Sequence, residues 1–285
     1  MLKMGSHGAA VRTLQALLKA DGARITVDGW FGPATLAAVR DAQRRYGLVI
    51  DGIAGPKTLA ALQADHRTPR HLSALDLVIA AQDLGVPLAA VRAVNEVESR
   101  GTGFLPDGRP VILYERHIMH RRLKARGVQP DTLAALVARH PDLINPQRGG
   151  YLGGTAEHAR LTAASRIHPD AAIESCSWGL FQIMGWHWQA LGYASPQRWA
   201  DLMSTTEGYH LQAFTAFIRA NPALHTALRE LRWATFARLY NGPDYRANLY
   251  DVRLARAYAR YALEGDTPAT AATALAVANG IPSTA

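Results

Sequence analysis

Apolar residues recur at helical spacing along most of the chain, and few segments alternate as strands do. Near the N-terminus they lie three or four positions apart in two sets: Val11, Leu14, Leu17, Leu18 and Leu36, Val39, Ala42, Tyr46. A third helix is predicted after residue 58. From Leu72 onward helical patterns dominate, and only the segment Val111–Tyr114 predicts a short strand. The pattern therefore predicts a mainly α protein with a small β hairpin.

One turn motif occurs twice near the N-terminus. The segment Val27–Thr35 reads VDGWFGPAT, and Ile50–Thr58, twenty-three residues later, reads IDGIAGPKT. Asp-Gly favours a tight turn with positive φ at glycine, Gly-Pro closes the loop, and the threonine can enter the next helix. Each copy is therefore predicted to be a loop that leads into a helix.

A polar run divides the chain into two predicted domains. Residues 64–71 contain a proline and lack an apolar stripe, so they indicate a linker. The predicted small domain spans residues 1–63 and the larger one residues 72–265. Residues 266–285 form an Ala/Thr-rich C-terminal tail.

Composition narrows the possible partners. Of the 285 residues 48% are apolar, which is typical of a folded protein, and the formal net charge of +8 favours an anionic partner. Long basic blocks and basic-aromatic interleaving are lacking, which argues against nucleic acid. A transmembrane stretch and a signal peptide are not evident, and the single cysteine precludes an internal disulfide. We expect a monomer without a membrane anchor, made in the cytoplasm.

Two neighbouring glutamates differ in their predicted surroundings. The segment Val86–Gly101 is predicted to be a helix, and Glu98 falls on its apolar stripe, four residues after Val94. Burial raises the pKa of a carboxyl group, as a general acid near neutral pH requires. Glu96 instead lies four residues from both Arg92 and Arg100, the spacing of an exposed ion-paired face.

The N-terminal repeat resembles the peptidoglycan-binding domain family, which has Leu-Gln in the first helix, here Leu14-Gln15, and a glutamine in the middle helix, here Gln43. The resemblance covers roughly residues 1–63 and implies a three-helix domain. It also implies that wall fragments bind beside the first Asp-Gly loop. The wall-binding candidates are Asp28, Gly29, Trp30 and Phe31.

Three motifs in the larger domain resemble the lysozyme-like fold of goose-type lysozymes and lytic transglycosylases. They occur in the order Glu98-Ser99, Ser177–Met184 and Tyr240–Pro243. With Tyr114–His117, they most resemble the phage N-acetylmuramidase endolysins over roughly residues 75–260. Phe181 replaces a methionine of many relatives, and a Gly-Pro pair replaces a longer glycine-rich stretch.

The resemblance and the chemistry of the side chains imply roles for individual residues. Glu98 is the predicted general acid, and Glu115, at the end of the predicted strand, is the first candidate for a second carboxylate, ahead of Asp107 and Glu174. Arg116 and Arg122 offer Glu115 ordinary ion pairs instead. The predicted substrate-binding residues are Ser99, Gln182, Met184, Tyr240 and Asn241. The aromatic side chains Trp186, His187, Trp188 and Trp199 are either sugar platforms or core.

Three functions stay open: hydrolysis of the β-1,4 bond between N-acetylmuramic acid and N-acetylglucosamine, a lytic transglycosylase reaction with anhydro products, and non-catalytic wall binding. No cofactor is expected, and His117 and His120 do not have the spacing of a zinc motif. For the first function, the expected partner is bacterial peptidoglycan. The enzyme would accumulate in the host cytoplasm and reach the wall through a separately made membrane lesion.

Overall fold

A computed structural model describes residues 1–64, 70–99 and 101–263. The linker predicted at 64–71 falls mostly outside these ranges, as do Arg100 and the predicted tail 266–285. The helices are α1 (Ala9–Ala20), α2 (Pro33–Arg45), α3 (Pro56–Ala64), α4 (Ala74–Leu84), α5 (Leu88–Glu98), α6 (Arg116–Ala125), α7 (Pro130–Arg139), α8 (Ala156–Ser165), α9 (Pro169–Glu174), α10 (Pro196–Met203), α11 (Glu207–Arg219), α12 (Pro222–Arg229), α13 (Trp233–Asn241) and α14 (Tyr250–Leu263). The strands are β1 (Ile112–Tyr114), β2 (Cys176–Trp178) and β3 (Ile183–Met184).

The described chain divides into two compact units. The first comprises residues 1–101 and the chain from residue 222 onward, and the second is Thr102–Asn221. The predicted catalytic domain 72–265 therefore contributes to both units. The domain boundaries drawn from the sequence stay predictions.

The three predicted N-terminal helices are present as α1, α2 and α3. Their shared core contains Val11, Leu14, Leu18, Phe31 and Val39, all fully buried. Glycine precedes a proline at the start of both α2 and α3, so the proline supplies a helical φ where its missing N–H costs nothing. Gly29 and Gly52 have φ values of 82° and 72°, as the two Asp-Gly turns require.

The rest of the first unit surrounds helix α5. Helix α4 begins with a capping box between Ser73 and Asp76 and ends at Gly85, which adopts the left-handed conformation. Helix α14 packs along α5 and also contacts α13. Glu96 of α5 bonds Arg260 and accepts a 2.8 Å hydrogen bond from the Tyr261 hydroxyl. Placing Glu96 on an exposed face was therefore wrong, because α14 partly covers that face.

A three-stranded antiparallel sheet lies in the second unit, with β2 between β1 and β3. Residue Tyr114 of β1 pairs with Cys176, and Ser177 of β2 pairs with Met184 of β3. The predicted strand is β1, one residue shorter than expected, and the hairpin is formed by β2 and β3. Helices α8 and α9 pack against this sheet. The mainly α fold with a minor antiparallel sheet is therefore confirmed.

Among the described helices, none has both the length and the apolar composition to cross a membrane alone. The pair α4 and α5 meets both criteria jointly but bends by 115° at its break.

Candidate active site and wall-binding loops

Glu98 is the last residue of α5, three positions before the predicted stop at Gly101. The helix buries Val91, Val94 and Val97, so the half-buried Glu98 follows an apolar stripe. Burial raises the pKa of Glu98, and this effect outweighs the opposing influences of the Asn241 hydrogen bond and the positive charge of Arg253. The carboxyl group thus has the electrostatic setting of a general acid.

Asn241 reaches Glu98 from the end of α13. Its Nδ2 donates a 2.9 Å hydrogen bond to Glu98 Oε1, across 143 residues of sequence. Gly242, with φ of 86°, follows at the helix end and turns the chain away. The structure therefore brings Glu98 and Asn241 together, as the motif order predicts.

Two further candidates flank this pair. Ser99 caps the C-terminus of α5, and its backbone N–H donates to Asn95 at 3.1 Å. The half-buried Tyr240 stacks on Phe236 at a ring-centroid distance of 6.0 Å. A role for Tyr240 in holding the acid stays a prediction.

In the second unit, Glu115 follows β1 and is hydrogen-bonded by a neighbour that the sequence did not suggest. The Tyr151 hydroxyl donates to Glu115 Oε2 at 2.7 Å, and His117 Nδ1 lies 3.1 Å from the same oxygen. The alternative partners Arg116 and Arg122 form no ion pair with Glu115 among the described residues. Arg116 binds backbone carbonyls, and Arg122 donates to Glu174 at 2.7 Å.

Gln182 lies in the β2–β3 turn with a positive φ of 53°, an unusual backbone conformation for a residue other than glycine. Its Oε1 accepts from the Ser177 hydroxyl at 2.7 Å, and its Nε2 donates to the Gly179 carbonyl at 2.8 Å. Both ends of the amide are thus engaged within the protein. Met184, the last residue of β3, is half-buried. Substrate contact by Gln182 or Met184 stays a prediction.

The two reserve carboxylates have strong partners. The buried Glu174 binds Arg122 and Arg126 and accepts from Trp188 Nε1 at 2.8 Å. Asp107 is exposed, and hydrogen bonds from Arg109 hold the pKa of its carboxyl below the usual value. Neither arrangement leaves a carboxylate poised to activate water.

The candidate aromatic platforms separate by burial. Trp199 is fully buried and belongs to the core. Trp186 is exposed and stacks on His187 at 3.6 Å between ring centroids. Burial of His187 lowers its pKa to about 4, so this ring is neutral at physiological pH.

The first Asp-Gly loop is organised by Gln15 of α1. Gln15 Nε2 donates to Asp28 Oδ1 at 2.7 Å and to the Trp30 carbonyl at 3.0 Å, and its Oε1 accepts from the Gly29 N–H at 2.8 Å. The Trp30 N–H donates to Asp28, and this bond is the main cause that lowers the pKa of Asp28. Gly29 has a second constraint, because an added Cβ would lie 2.9 Å from the Arg12 side chain.

The second loop repeats this network with Gln43, Asp51 and Gly52. Gln43 Nε2 donates to Asp51 Oδ1 at 2.6 Å, and the Gly52 N–H donates to Gln43 Oε1 at 2.9 Å. The surroundings differ, because burial raises the pKa of Asp51 whereas the pKa of Asp28 is lowered. The glutamines noted in the sequence therefore build the loops rather than a binding surface.

The four predicted wall-binding residues do not share one environment. Trp30 is 55% exposed and Asp28 is exposed, but Phe31 is 0% exposed and lies in the hydrophobic core. Phe31 was therefore wrongly placed on the ligand side, because the turn at Gly29 directs successive side chains differently. Gly29 is buried, and its N–H is occupied by Gln15.

A cavity of about 640 Å³ lies on the same three-helix region, between residues 22–25 after α1 and one face of α2 that includes Ala34. Its lining residues include Arg24, Arg44 and Arg45 together with Asp41. Sequence reasoning did not single out this arginine-rich surface. Among the described residues no group of three or more His, Cys, Asp or Glu side chains could hold a metal ion.

Comparisons with known proteins agree with these two regions. The family model described as N-acetylmuramidase matches residues 87–262, and the model for a putative peptidoglycan binding domain matches residues 7–62. The crystal structure of Burkholderia AP3 phage endolysin is 54% identical, with a TM-score of 0.86, and the alignment covers 92% of this chain and 98% of that chain. The zinc D-Ala-D-Ala carboxypeptidase of Streptomyces albus G is 48% identical over 82 residues, which are 27% of this chain and 32% of that enzyme. The chain thus spans about a third of the peptidase.

Proposed function

This chain belongs to the N-acetylmuramidase family and is a glycoside hydrolase of bacterial peptidoglycan, and we propose that Glu98 is its general acid. The bond cleaved is the β-1,4 linkage between N-acetylmuramic acid and N-acetylglucosamine. One observation carries the proposal: Glu98 is half-buried at a helix end with a raised pKa and a hydrogen bond from Asn241. A raised pKa favours the protonated carboxyl, which can protonate the glycosidic oxygen as the bond breaks.

Asn241 fixes the position of the acid proton. Because Asn241 donates to Oε1, that oxygen must act as an acceptor, and the proton of neutral Glu98 resides on Oε2. Glu98 Oε2 has no hydrogen-bond partner among the described residues. The proton is therefore held on the oxygen that is free to face the substrate.

The second step requires a group that stabilises or captures the sugar cation. We propose Glu115 for this role, as a base for the attacking water, with Gln182, Met184, Ser99 and Tyr240 as substrate contacts. Its support is the resemblance and the position of Glu115 directly after β1. A lytic transglycosylase reaction is the alternative to hydrolysis. It needs only Glu98 as acid and base, since the 6-hydroxyl of the substrate itself closes the anhydro ring. Reducing muramic ends in the product would indicate hydrolysis, and 1,6-anhydro ends would exclude it.

Substitution Glu98→Gln tests the acid. We expect lysis of purified walls to fall by about 10² to 10⁴, because the amide keeps the shape but cannot deliver a proton. Glu230→Gln is the matched control, since Glu230 is an exposed glutamate that pairs only with neighbouring Arg232 among described residues. Parental lysis by Glu98→Gln would refute the assignment.

The same variant has a stability signature. The folded pKa of Glu98 lies above its ordinary value of 4.5, so the ionised carboxylate opposes folding once the pH rises above that value. Glu98→Gln removes this cost, and its thermal midpoint should exceed that of the parent at pH 7 but not at pH 4. Scanning calorimetry at both pH values measures the difference.

For the N-terminal region, we propose that the first Asp-Gly loop contacts the wall through Trp30 and Asp28, with Gly29 shaping the loop.

The likeness to a phage endolysin supports synthesis in the host cytoplasm and action on the wall after a membrane lesion. We further propose that the chain acts as a monomer without nucleic acid or a membrane anchor. Fractionation of expressing cells and gel filtration test these points. Release into the periplasm without a lesion, or a stable dimer, would contradict them.

A further inference from the structure

A loop in the second unit, here called the glycine loop, comprises residues 149–154 with the sequence Gly-Gly-Tyr-Leu-Gly-Gly. All four glycines have positive φ, from 55° at Gly154 to 107° at Gly149. Other residues rarely adopt this conformation, so the loop has a backbone path that the glycines make accessible. At its tip, Tyr151 and Leu152 are 45% and 68% exposed.

The glycine loop is held in place from both sides. The fully buried carboxylate of Glu157 accepts hydrogen bonds from the Leu152 and Gly153 N–H groups at 2.6 and 2.9 Å. On the other side, the Arg116 guanidinium donates to the carbonyls of Gln147 and Arg148 at 3.0 and 2.9 Å. A preorganised loop loses little conformational entropy when a ligand binds.

A hydrogen bond from the Tyr151 hydroxyl orients this side chain. The hydroxyl donates to Glu115 Oε2 at 2.7 Å, so the ring stands beside this carboxylate with much of its surface exposed. Glu115 Oε1 has no hydrogen-bond partner among the described residues. An exposed aromatic face and a free carboxylate oxygen therefore lie side by side.

This combination suits a pyranose sugar. The C–H face of the ring packs on an aromatic surface, and the hydroxyls at its rim donate to a carboxylate oxygen. A lipid tail would leave Glu115 Oε1 without a hydrogen-bond donor. We propose that Tyr151, Leu152 and Glu115 form a sugar subsite that binds the glycan strand of peptidoglycan. This inference rests on the proposed function.

Binding of soluble, uncrosslinked glycan strands of alternating N-acetylglucosamine and N-acetylmuramic acid tests the subsite. Isothermal titration with the full chain carrying Glu98→Gln prevents turnover during the measurement. Adding Tyr151→Ala should weaken binding about tenfold, while Tyr151→Phe, which retains the ring, should weaken it only a few-fold. Ile79→Ala is the matched control, because Ile79 is an exposed apolar residue on α4.

Kinetics of the active enzyme provide a second readout. With Glu98 intact, Tyr151→Ala should raise KM about tenfold, as expected for a binding contact. Any change in kcat should appear equally in Tyr151→Phe, because both variants remove the hydrogen bond to Glu115. If Tyr151→Ala fails to fold, Leu152→Ser takes its place, since this exposed side chain contributes little to packing, and a several-fold weaker affinity is expected. Parental affinity and KM in these variants would overturn the subsite. Full lysis by Glu98→Gln would instead overturn the proposed function, and the two failures are therefore distinguishable.

Discussion

Glu157 is the residue whose replacement should reveal most about the second unit. Its carboxylate is fully buried and accepts four hydrogen bonds, from the N–H groups of Leu152, Gly153 and Tyr114 and from Arg160 at 2.8 Å. Both carboxylate oxygens of Glu157 accept hydrogen bonds, so in Glu157→Gln the amide NH2 group replaces one acceptor and faces N–H donors. At least one donor then lacks an acceptor, at about 1 to 3 kcal/mol, and the charge of Arg160 loses its counter-ion. The total loss should be about 3 to 5 kcal/mol.

A loss of this size is a large fraction of the roughly 5 to 15 kcal/mol that stabilises a typical domain. It should lower the thermal midpoint by about 6 to 20 °C, as measured by scanning calorimetry. The double variant Glu157→Gln with Arg160→Met removes the stranded charge, so it should be more stable than the sum of the single changes indicates. A midpoint for Glu157→Gln within 2 °C of the parent would refute the reasoning.

The pH dependence supplies an independent check on Glu157. Burial raises the pKa of this carboxyl, but hydrogen bonds from the Gly153 and Leu152 N–H groups and from Arg160 outweigh it, so the net pKa is below 4.5. A lowered pKa contributes stability that is present above pH 4.5 and is lost as the pH falls through the folded value. The difference between parent and Glu157→Gln should therefore shrink on acidification. A constant difference from pH 7 down to pH 3 would contradict this account.

Two further predictions concern the other sites. Trp30→Ala should reduce pelleting with purified walls about tenfold or more, whereas Ile53→Ala, the equivalent position of the second repeat, should leave it unchanged, because only Trp30 is largely exposed. Equal losses of wall pelleting in the two variants would argue against wall binding by the first loop alone. Asn241→Ala should raise the pKa of Glu98, since it removes a hydrogen bond to the charged form, and the alkaline limb of the pH–kcat/KM profile should move to higher pH. An unmoved limb would show that Asn241 does not act on the acid.

Local signals in the sequence predicted those parts of the fold that depend on local physics. The repeated Asp-Gly and Gly-Pro pairs predicted the loops before α2 and α3, and the apolar spacing around Val94 predicted the partly buried Glu98. Long-range partners could not be predicted in this way. Nothing near Glu96 indicates that Tyr261 and Arg260 bind it from 165 and 164 residues away.

In the candidate site, too, local signals were predictable from the sequence and long-range contacts were not. Asn241 was found because it belongs to a motif with an established order, although its distance to Glu98 is a tertiary property. Tyr151 was missed, since a tyrosine between glycine pairs carries no helical or strand period. The glycine pairs themselves were the available signal, because they mark backbone that other residues rarely adopt. Phe31 was misplaced because side-chain direction in a tight turn cannot be read from sequence spacing.

The two partners of the hydrogen bond between Asn241 and Glu98 are translated at different times, because 143 residues separate them in the sequence. A ribosome adds about 5 to 20 residues per second, so Asn241 is made roughly 7 to 30 seconds after Glu98. The three N-terminal helices can fold during that interval, whereas α13 and α14 do not yet exist to cover α5. A nascent or prematurely terminated chain would thus expose Glu98 to water, where its carboxyl ionises at an ordinary pKa. The environment of the proposed acid is therefore completed only after Asn241 and α14 have been translated.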